Sequence, residues 1–529
     1  MDPEVVNYHY CDSLNTHPLS SGTRVLVTGA NGYVAHRLIP ELIFRGYTVR
    51  CMFRSRSARP ILSHPRIEVV FADCLDSAEL RPALEDVHTA YYLIHSMRDK
   101  PQKFIEKDQQ AAANFVEAAE QSGIKRIIYL GGLGEKSESL SDHLRSRQEV
   151  GRILTKSSVT AIKLRAAVIV GTGSASYELM KSLILNNRWI PFLREFNSKC
   201  QPIAIRDVIK YLVGILETAG LESRVYHIGG KDVMSYKDLI LKFASILHKR
   251  VRFFDVAWLP IPVEWLCRIY ACWLHLFISI PVNITSLLLS SLRTDVFCRE
   301  NDIADILPFD TLDFQTAVEW AQVKESKSQV FSHWSNVPPE RMSDLLPLCE
   351  FESADFEIDE HSLEIPVSAE KIFPIICRVG GDNGWAHANL LWEIRGLFDR
   401  VIGGVGLNRG RRDPEKLRIG DSVDFWRVEN LVPDRELLLR AEMISPGLSW
   451  LQFELQSNAS SSVAQPEEVS TRLILRAHFI PKPFWGHLYW FSLSKFHTYI
   501  FKGMLESFRK EAIGDKVSQS EPVPGGADG

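Results

Sequence analysis

Residues 24–46, RVLVTGANGYVAHRLIPELIFRG, constrain the fold more than any other stretch of the chain. RVLVT is a short β-branched run suited to a buried strand, and from Tyr33 the apolar residues recur with helical spacing. The turn between them carries Gly29, Asn31 and Gly32, and Tyr33, Val34 and Ala35 open the helix. A strand, a glycine turn and a helix in direct succession make an anion site. The main chain can approach a pyrophosphate closely, and the N–H groups of the helix's first turn point at it. Ala35 in the third place of the pattern still permits close helix–strand packing. These residues are therefore the candidate phosphate-binding turn of a nucleotide site.

The surrounding sequence continues the pattern. TVRCMFRS (48–55) reads as a second strand ending at Arg54. A carboxylate there would hold a ribose diol, as NAD requires, whereas an arginine suits a 2′-phosphate, so NADP(H) is expected over NAD(H). A solvated loop charge is the other reading of Arg54. IEVVFAD ends at Asp73, expected to face the adenine, with Cys74 beside it. TAYYLIHSM brings His95 and Ser96 to a strand C-terminus, where open α/β sheets bind ligands. RIIYLGGLG ends in Gly131 and Gly132. Amphipathic helices separate these runs, which predicts an α/β domain: a Rossmann-type doubly wound parallel sheet with helices on both faces.

TGANGYVA resembles the TGxxGxxG/A motif of extended and atypical short-chain dehydrogenase/reductases. YYLIHSM, IIYLGGLG and HLRSRQEVGRIL are similar to the NmrA-like, bacterial YbjT-type branch, and the resemblance spans residues 22–325 or so. Ordinary members close the fifth strand with a Ser and pair a Tyr with a Lys four residues on, for acid–base work beside a hydride donor. This chain has Gly131–Gly132 near the Ser place, His143 at the Tyr place and Arg147 at the Lys place. Arg147 is a permanent cation that can hold ribose or phosphate but cannot act as a base. His143 can donate a proton near neutral pH. Three readings stay open: an altered acid–base site, a cofactor-holding pair in a protein that senses NADPH without turnover, or an ordinary surface His and Arg.

The rest of the chain divides clearly. Residues 1–22 read as a polar tail without a secretory signal, 23–325 as the nucleotide-binding domain with its substrate and lid part at about 172–310, and 326–355 as a linker. Within the first domain, 256–292 holds only two formal charges, Glu264 and Arg268. A buried helical lid, an interfacial helix pair in peripheral contact with a membrane, and a true span all fit that composition. Residues 356–514 give a strand, helices, further strands and a final amphipathic helix, followed by a disordered tail at 515–529. This order resembles a START-like (SRPBCC-like) α+β helix-grip fold, which implies an apolar ligand. GGDNGWAHANLLWEIRGLFDRVIGGVGLNRGRRDP is similar to the domain of unknown function that follows the reductase-like half in YbjT-type proteins. Within it, Arg409, Arg411 and Arg412 on a glycine loop are a candidate anion site.

A net charge of −4 argues against nucleic acid as a partner. Nine scattered cysteines without CxxC spacing argue for reduced thiols, a cytoplasmic setting and no metal site. The sum is an NAD(P)H-binding oxidoreductase-like protein acting on or carrying a hydrophobic carbonyl or quinone-like molecule. The alternative is a non-catalytic sensor, carrier or accessory protein.

Overall fold

The computed structural model describes residues 9–54, 60, 62–94, 101–134, 142–192, 194–256, 263–275, 285–286, 289, 292, 294–326, 330, 332–336, 348, 351, 356–407, 411–457 and 470–518. The chain forms two units, Met1–Leu345 and Leu346–Gly529.

The first unit is built on a seven-stranded sheet. Its strands are β1 (Arg24–Thr28), β2 (Thr48–Phe53), β3 (Ile67–Phe71), β4 (Thr89–Tyr92), β5 (Arg126–Gly132), β6 (Thr160–Ala166) and β7 (Arg224–Ile228). The order is β7-β6-β5-β4-β1-β2-β3, and every pairing is parallel. The strands are β-branched and almost continuously apolar because helices bury both faces. Helices α1 (Tyr33–Phe44) and α6 (Ile205–Glu217) pack on one face. Helices α2 (Ser77–Leu84), α3 (Pro101–Gln121) and α4 (Asp142–Thr155) cover the other. The direction of winding reverses between β1 and β4, so the crevice for a ligand opens at the C-terminal ends of those two strands. Further out lie α5 (Ala175–Asn186), α7 (Tyr236–Ile246), α8 (Val263–His275) and α9 (Phe314–Ser326).

Two boundaries differ from the sequence reading. The polar N-terminal tail is tied down from residue 9 onward. The main-chain N–H groups of Tyr10 and Cys11 donate to the Glu41 carboxylate on α1, and the Cys11 side chain is buried. A buried carboxylate needs such donors, and a polar segment can supply them from its backbone without showing an apolar pattern. Likewise, the proposed linker begins inside the domain. Arg37 donates to Ser332, and the Trp334 N–H donates to the Gly173 carbonyl at 2.7 Å. Ser332, His333, Trp334 and Ser335 are all buried.

Of the apolar stretch 256–292, much lies outside the described residues. Its α8 part buries Tyr270, Ala271 and Leu274 while leaving Trp265 and Ile269 exposed. Among the described residues, no helix is long and apolar enough to cross a membrane.

The second unit starts with β8 (Glu357–Ile365), α10 (Ala369–Cys377) and α11 (Asn389–Val401). Then follow β9 (Ser422–Val423), β10 (Trp426–Val432), β11 (Glu436–Ala441), β12 (Gly447–Ser457), β13 (Thr471–Pro481) and α12 (Trp485–Ser518). The sheet is antiparallel throughout, in the order β8-β13-β12-β11-β10-β9. Strict alternation in β8 puts one face inward. That face packs on the C-terminal half of α12 through Phe501, Met504, Leu505 and Phe508. The helix continues past the sequence-predicted end at 514.

Candidate nucleotide site

The glycine turn stands where the sequence implies. Gly29 takes φ +61°, a conformation that L side chains rarely adopt, and Gly32 N–H donates to its carbonyl at 2.8 Å. A Cβ on Gly32 would come within 3.0 Å of the Gly29 carbonyl oxygen, so glycine is needed to close the turn. Gly32 caps α1 without any side chain, and the first turn of α1 contains no acidic residue. The opening N–H groups of α1 are thus not supplied with a carboxylate from within the helix, as a phosphate-binding turn requires. Asn31, Tyr33 and Val34 are half-buried around the turn, and Ala35 is buried against the sheet. Thr28 fixes the crevice: its hydroxyl donates to the Tyr91 carbonyl and accepts from the Leu93 N–H, both at 3.0 Å.

The remaining sequence-predicted residues are distributed unevenly. Arg54 is exposed at the end of β2, on the strand next to the glycine turn. Asp73 follows β3, and its Oδ1 accepts the Leu75 N–H at 2.9 Å, an Asx turn that holds the loop in shape. Cys74 corrects the reading. Its thiol is buried in an apolar cluster with Leu80, Tyr92 and Phe115, and burial pushes its pKa up, so it serves as a small core residue. His95, Ser96 and the side chain of His143 lie outside the described residues.

Arg147 is half-buried on α4. Its Nη1 donates to the Leu130 carbonyl at 3.1 Å, whereas its Nε is buried without a partner among the described residues. Beneath it lies a group the sequence reading missed. Lys163 on β6 is buried, with Nζ 3.5 Å from the Arg147 carbonyl and 3.4 Å from that of Gln148. Burial, then the nearby Arg165 and Arg147, pull its pKa down to about 7. Arg165 also has a buried Nε without a partner among the described residues. Gly151 on α4 faces it closely: a Cβ there would lie 2.0 Å from Nζ, so the lysine side chain would have to move. A lysine at the centre of TAIKLRA, an interior strand that also carries Arg165, was the signal available in the sequence.

A second basic recess in this unit joins Arg37, Arg206 and Lys324 to Tyr10 and Trp320. The Arg206 guanidinium stacks 4.5 Å over the Trp320 ring, and Lys324 Nζ donates to the Tyr10 hydroxyl at 2.9 Å. Burial and the two arginines lower the Lys324 pKa to about 8.

In the second unit Arg411 and Arg412 are turned inward, which corrects the anion-site reading for these two. Arg411 donates to the carbonyls of Cys377, Val379 and Asp413, and buried Arg412 pairs with Asp421 at 3.1 Å. Forks that organise a loop in this way are engaged before any ligand arrives. Arg409 lies outside the described residues. The unit's core instead holds donors without acceptors. Trp392 and Trp426 are buried, and the indole N–H of each has no partner among the described residues. Trp385 stacks on Trp392 at 4.6 Å and lies 6.2 Å from Trp426. Among the described residues there is no group of three or more side chains able to hold a metal.

Comparison with known proteins agrees with this division. Residues 29–181 match a family described as NAD(P)H-binding, and residues 351–504 match a protein family of unknown function (DUF2867). Cinnamoyl-CoA reductase 1 of Petunia hybrida is 29% identical over 122 residues, 22% of this chain and 36% of that protein. The mitochondrial NADH dehydrogenase [ubiquinone] 1 alpha subcomplex subunit 9 of Arabidopsis thaliana is 23% identical over 240 residues, 44% of this chain and 59% of that protein. The chain thus spans about a third of the first relative's length and under two thirds of the second's. The Bordetella bronchiseptica enzyme WbmG, solved in complex with NAD and UDP, is 13% identical, with 58% of this chain and 95% of that one covered at a TM-score of 0.45. Residues 29–181 thus match an NAD(P)H-binding family, and they are followed by a domain whose matched family has no assigned function.

Proposed function

We propose that this protein is an NADP(H)-dependent oxidoreductase acting on a hydrophobic carbonyl or quinone-like molecule, which its second unit also holds. The observation that carries the reading is the uncapped start of α1 behind Gly29 and Gly32, at the crevice between β1 and β4. The cofactor would supply the hydride. Gly29, Gly32 and Ala35 would seat the pyrophosphate, Arg54 the 2′-phosphate and Asp73 the adenine edge. Arg147 would orient the ribose, and His143 would hold the proton destined for the substrate oxygen. The similarity to a cinnamoyl-CoA reductase supports reduction of an acyl-type carbonyl as the class of reaction. For the second unit, the sheet-and-helix order favours a START-like ligand domain. Two buried indole N–H groups without acceptors among the described residues favour an apolar ligand that carries oxygen.

A second reading has its own support. No hydroxyl stands at Gly131–Gly132, and Arg147 already donates to Leu130, which favours a sensor, carrier or accessory subunit that binds NADPH without turnover. The similarity to a respiratory-complex subunit points the same way. The deciding experiment is NADPH oxidation at cofactor concentrations shown to bind, with a short-chain quinone and a lipid extract as acceptors. Oxidation that vanishes in His143→Phe with binding retained supports the enzyme. Tight binding with no oxidation supports the sensor or carrier.

A further inference from the structure

Helix α11 is amphipathic in the unusual sense. Leu390, Ile394, Leu397 and Val401 fall at helical spacing and face solvent, Val401 with 75% of its surface exposed. Helix α12 repeats the arrangement in its first half. Trp485, Leu488, Phe491 and Phe496 are exposed there, Phe491 by 82%, while Trp490 on the opposite side stacks on buried Phe479 at 5.2 Å and the fully buried residues begin at Ile500. The His387 ring, just before α11, meets the Tyr499 ring of α12 at 4.9 Å, which sets the start of α11 beside the middle of α12. Isolated exposed apolar residues are ordinary, but two such stripes on neighbouring helices mark a contact surface.

The charges identify the occupant. From Lys482 to Leu505 the chain has no acidic residue, and Lys482, Lys495 and Lys502 are all exposed. The acidic groups found at this surface are Glu357, which accepts from His487 at 3.3 Å, Asp359, 3.7 Å from His497, and Glu393, within the α11 stripe. A second copy docked on the same face would set lysines against lysines. An anionic bilayer surface meets both requirements at once. Its headgroups attract lysines, and tryptophan, phenylalanine and leucine insert at the boundary with the acyl chains. We propose that the face formed by α11 and the first half of α12 docks the protein on an anionic lipid surface. This inference does not rest on the proposed reaction.

The test is flotation of the full-length protein with vesicles of phosphatidylcholine alone and of phosphatidylcholine mixed with phosphatidylserine. The expected result is partition onto the mixed vesicles that falls with added salt. Leu488→Glu combined with Phe491→Glu should lower it by about tenfold or more. Lys482→Glu combined with Lys495→Glu should lower it by about fivefold per lysine on the mixed vesicles only. All four positions are exposed, so far-UV circular dichroism should be unchanged. Absence of partition, or partition indifferent to both variants, would overturn the proposal. So would a wild-type dimer that Phe491→Glu disperses while no vesicle is bound.

Discussion

Arg54 and Lys163 are the two residues on which the chemistry of the first unit can be tested most directly. Arg54→Asp should weaken NADPH binding relative to NADH by roughly ten- to a hundredfold, the range of a charge-assisted hydrogen bond. Fluorescence titration with both cofactors measures this, and an unchanged preference removes the 2′-phosphate role. Lys163 makes a prediction about pH. Its folded pKa of about 7 lies below the ordinary 10.5, so the folded protein binds fewer protons than the unfolded chain between those values. Stability attributable to this group is therefore lowest below pH 7 or so and recovers as pH rises toward 10.5. Urea midpoints of Lys163→Met against wild type should show the variant's advantage at pH 6 shrinking steadily by pH 10. A constant difference would mean that the amine stays charged when buried.

At the scale of elements, α4 and β6 are fitted to each other by one glycine and one lysine. Gly151→Ala should destabilise the first unit by about 1–3 kcal/mol, because its Cβ meets Lys163 Nζ, Cε and Cδ at 2.0–2.6 Å. Adding Lys163→Ala should restore most of the loss, and a double-mutant cycle by chemical denaturation reads the coupling. The same scale shows what the sequence disclosed. The strands of the parallel sheet were legible, since β-branched runs such as RVLVT and RIIYL have few alternatives to a buried strand. The glycine turn was legible because a turn, a strand and a helix must coincide to make it. Lys163 was hidden because Gly151, which it packs closely against, is on a different element. The inward turn of Arg411 and Arg412 was hidden because free carbonyls at Cys377 and Val379 do not show in a sequence.

For the whole molecule, the two units should respond to cofactor differently. NADPH at about a hundred times its dissociation constant should stabilise the first unit by about 2.7 kcal/mol and leave the second where it was. Calorimetry of the full chain, with and without NADPH, should then move one transition and not the other. The first unit is also closed by its own beginning. Cys11 is sealed behind Glu41, so Glu41→Gln should raise the reactivity of Cys11 toward a thiol reagent while the buried Cys51 stays protected. This closure could not be read from a polar segment whose partners are so remote. Tyr10 meets Lys324 and Thr16 meets Glu217. In the order of biosynthesis, the segment around Tyr10 finds its last partner only after residue 324 has followed. At about 5–20 residues per second that is a wait of roughly 15–65 s. Nascent chains halted before α6 should therefore expose Cys11, and those carried past α9 should hide it.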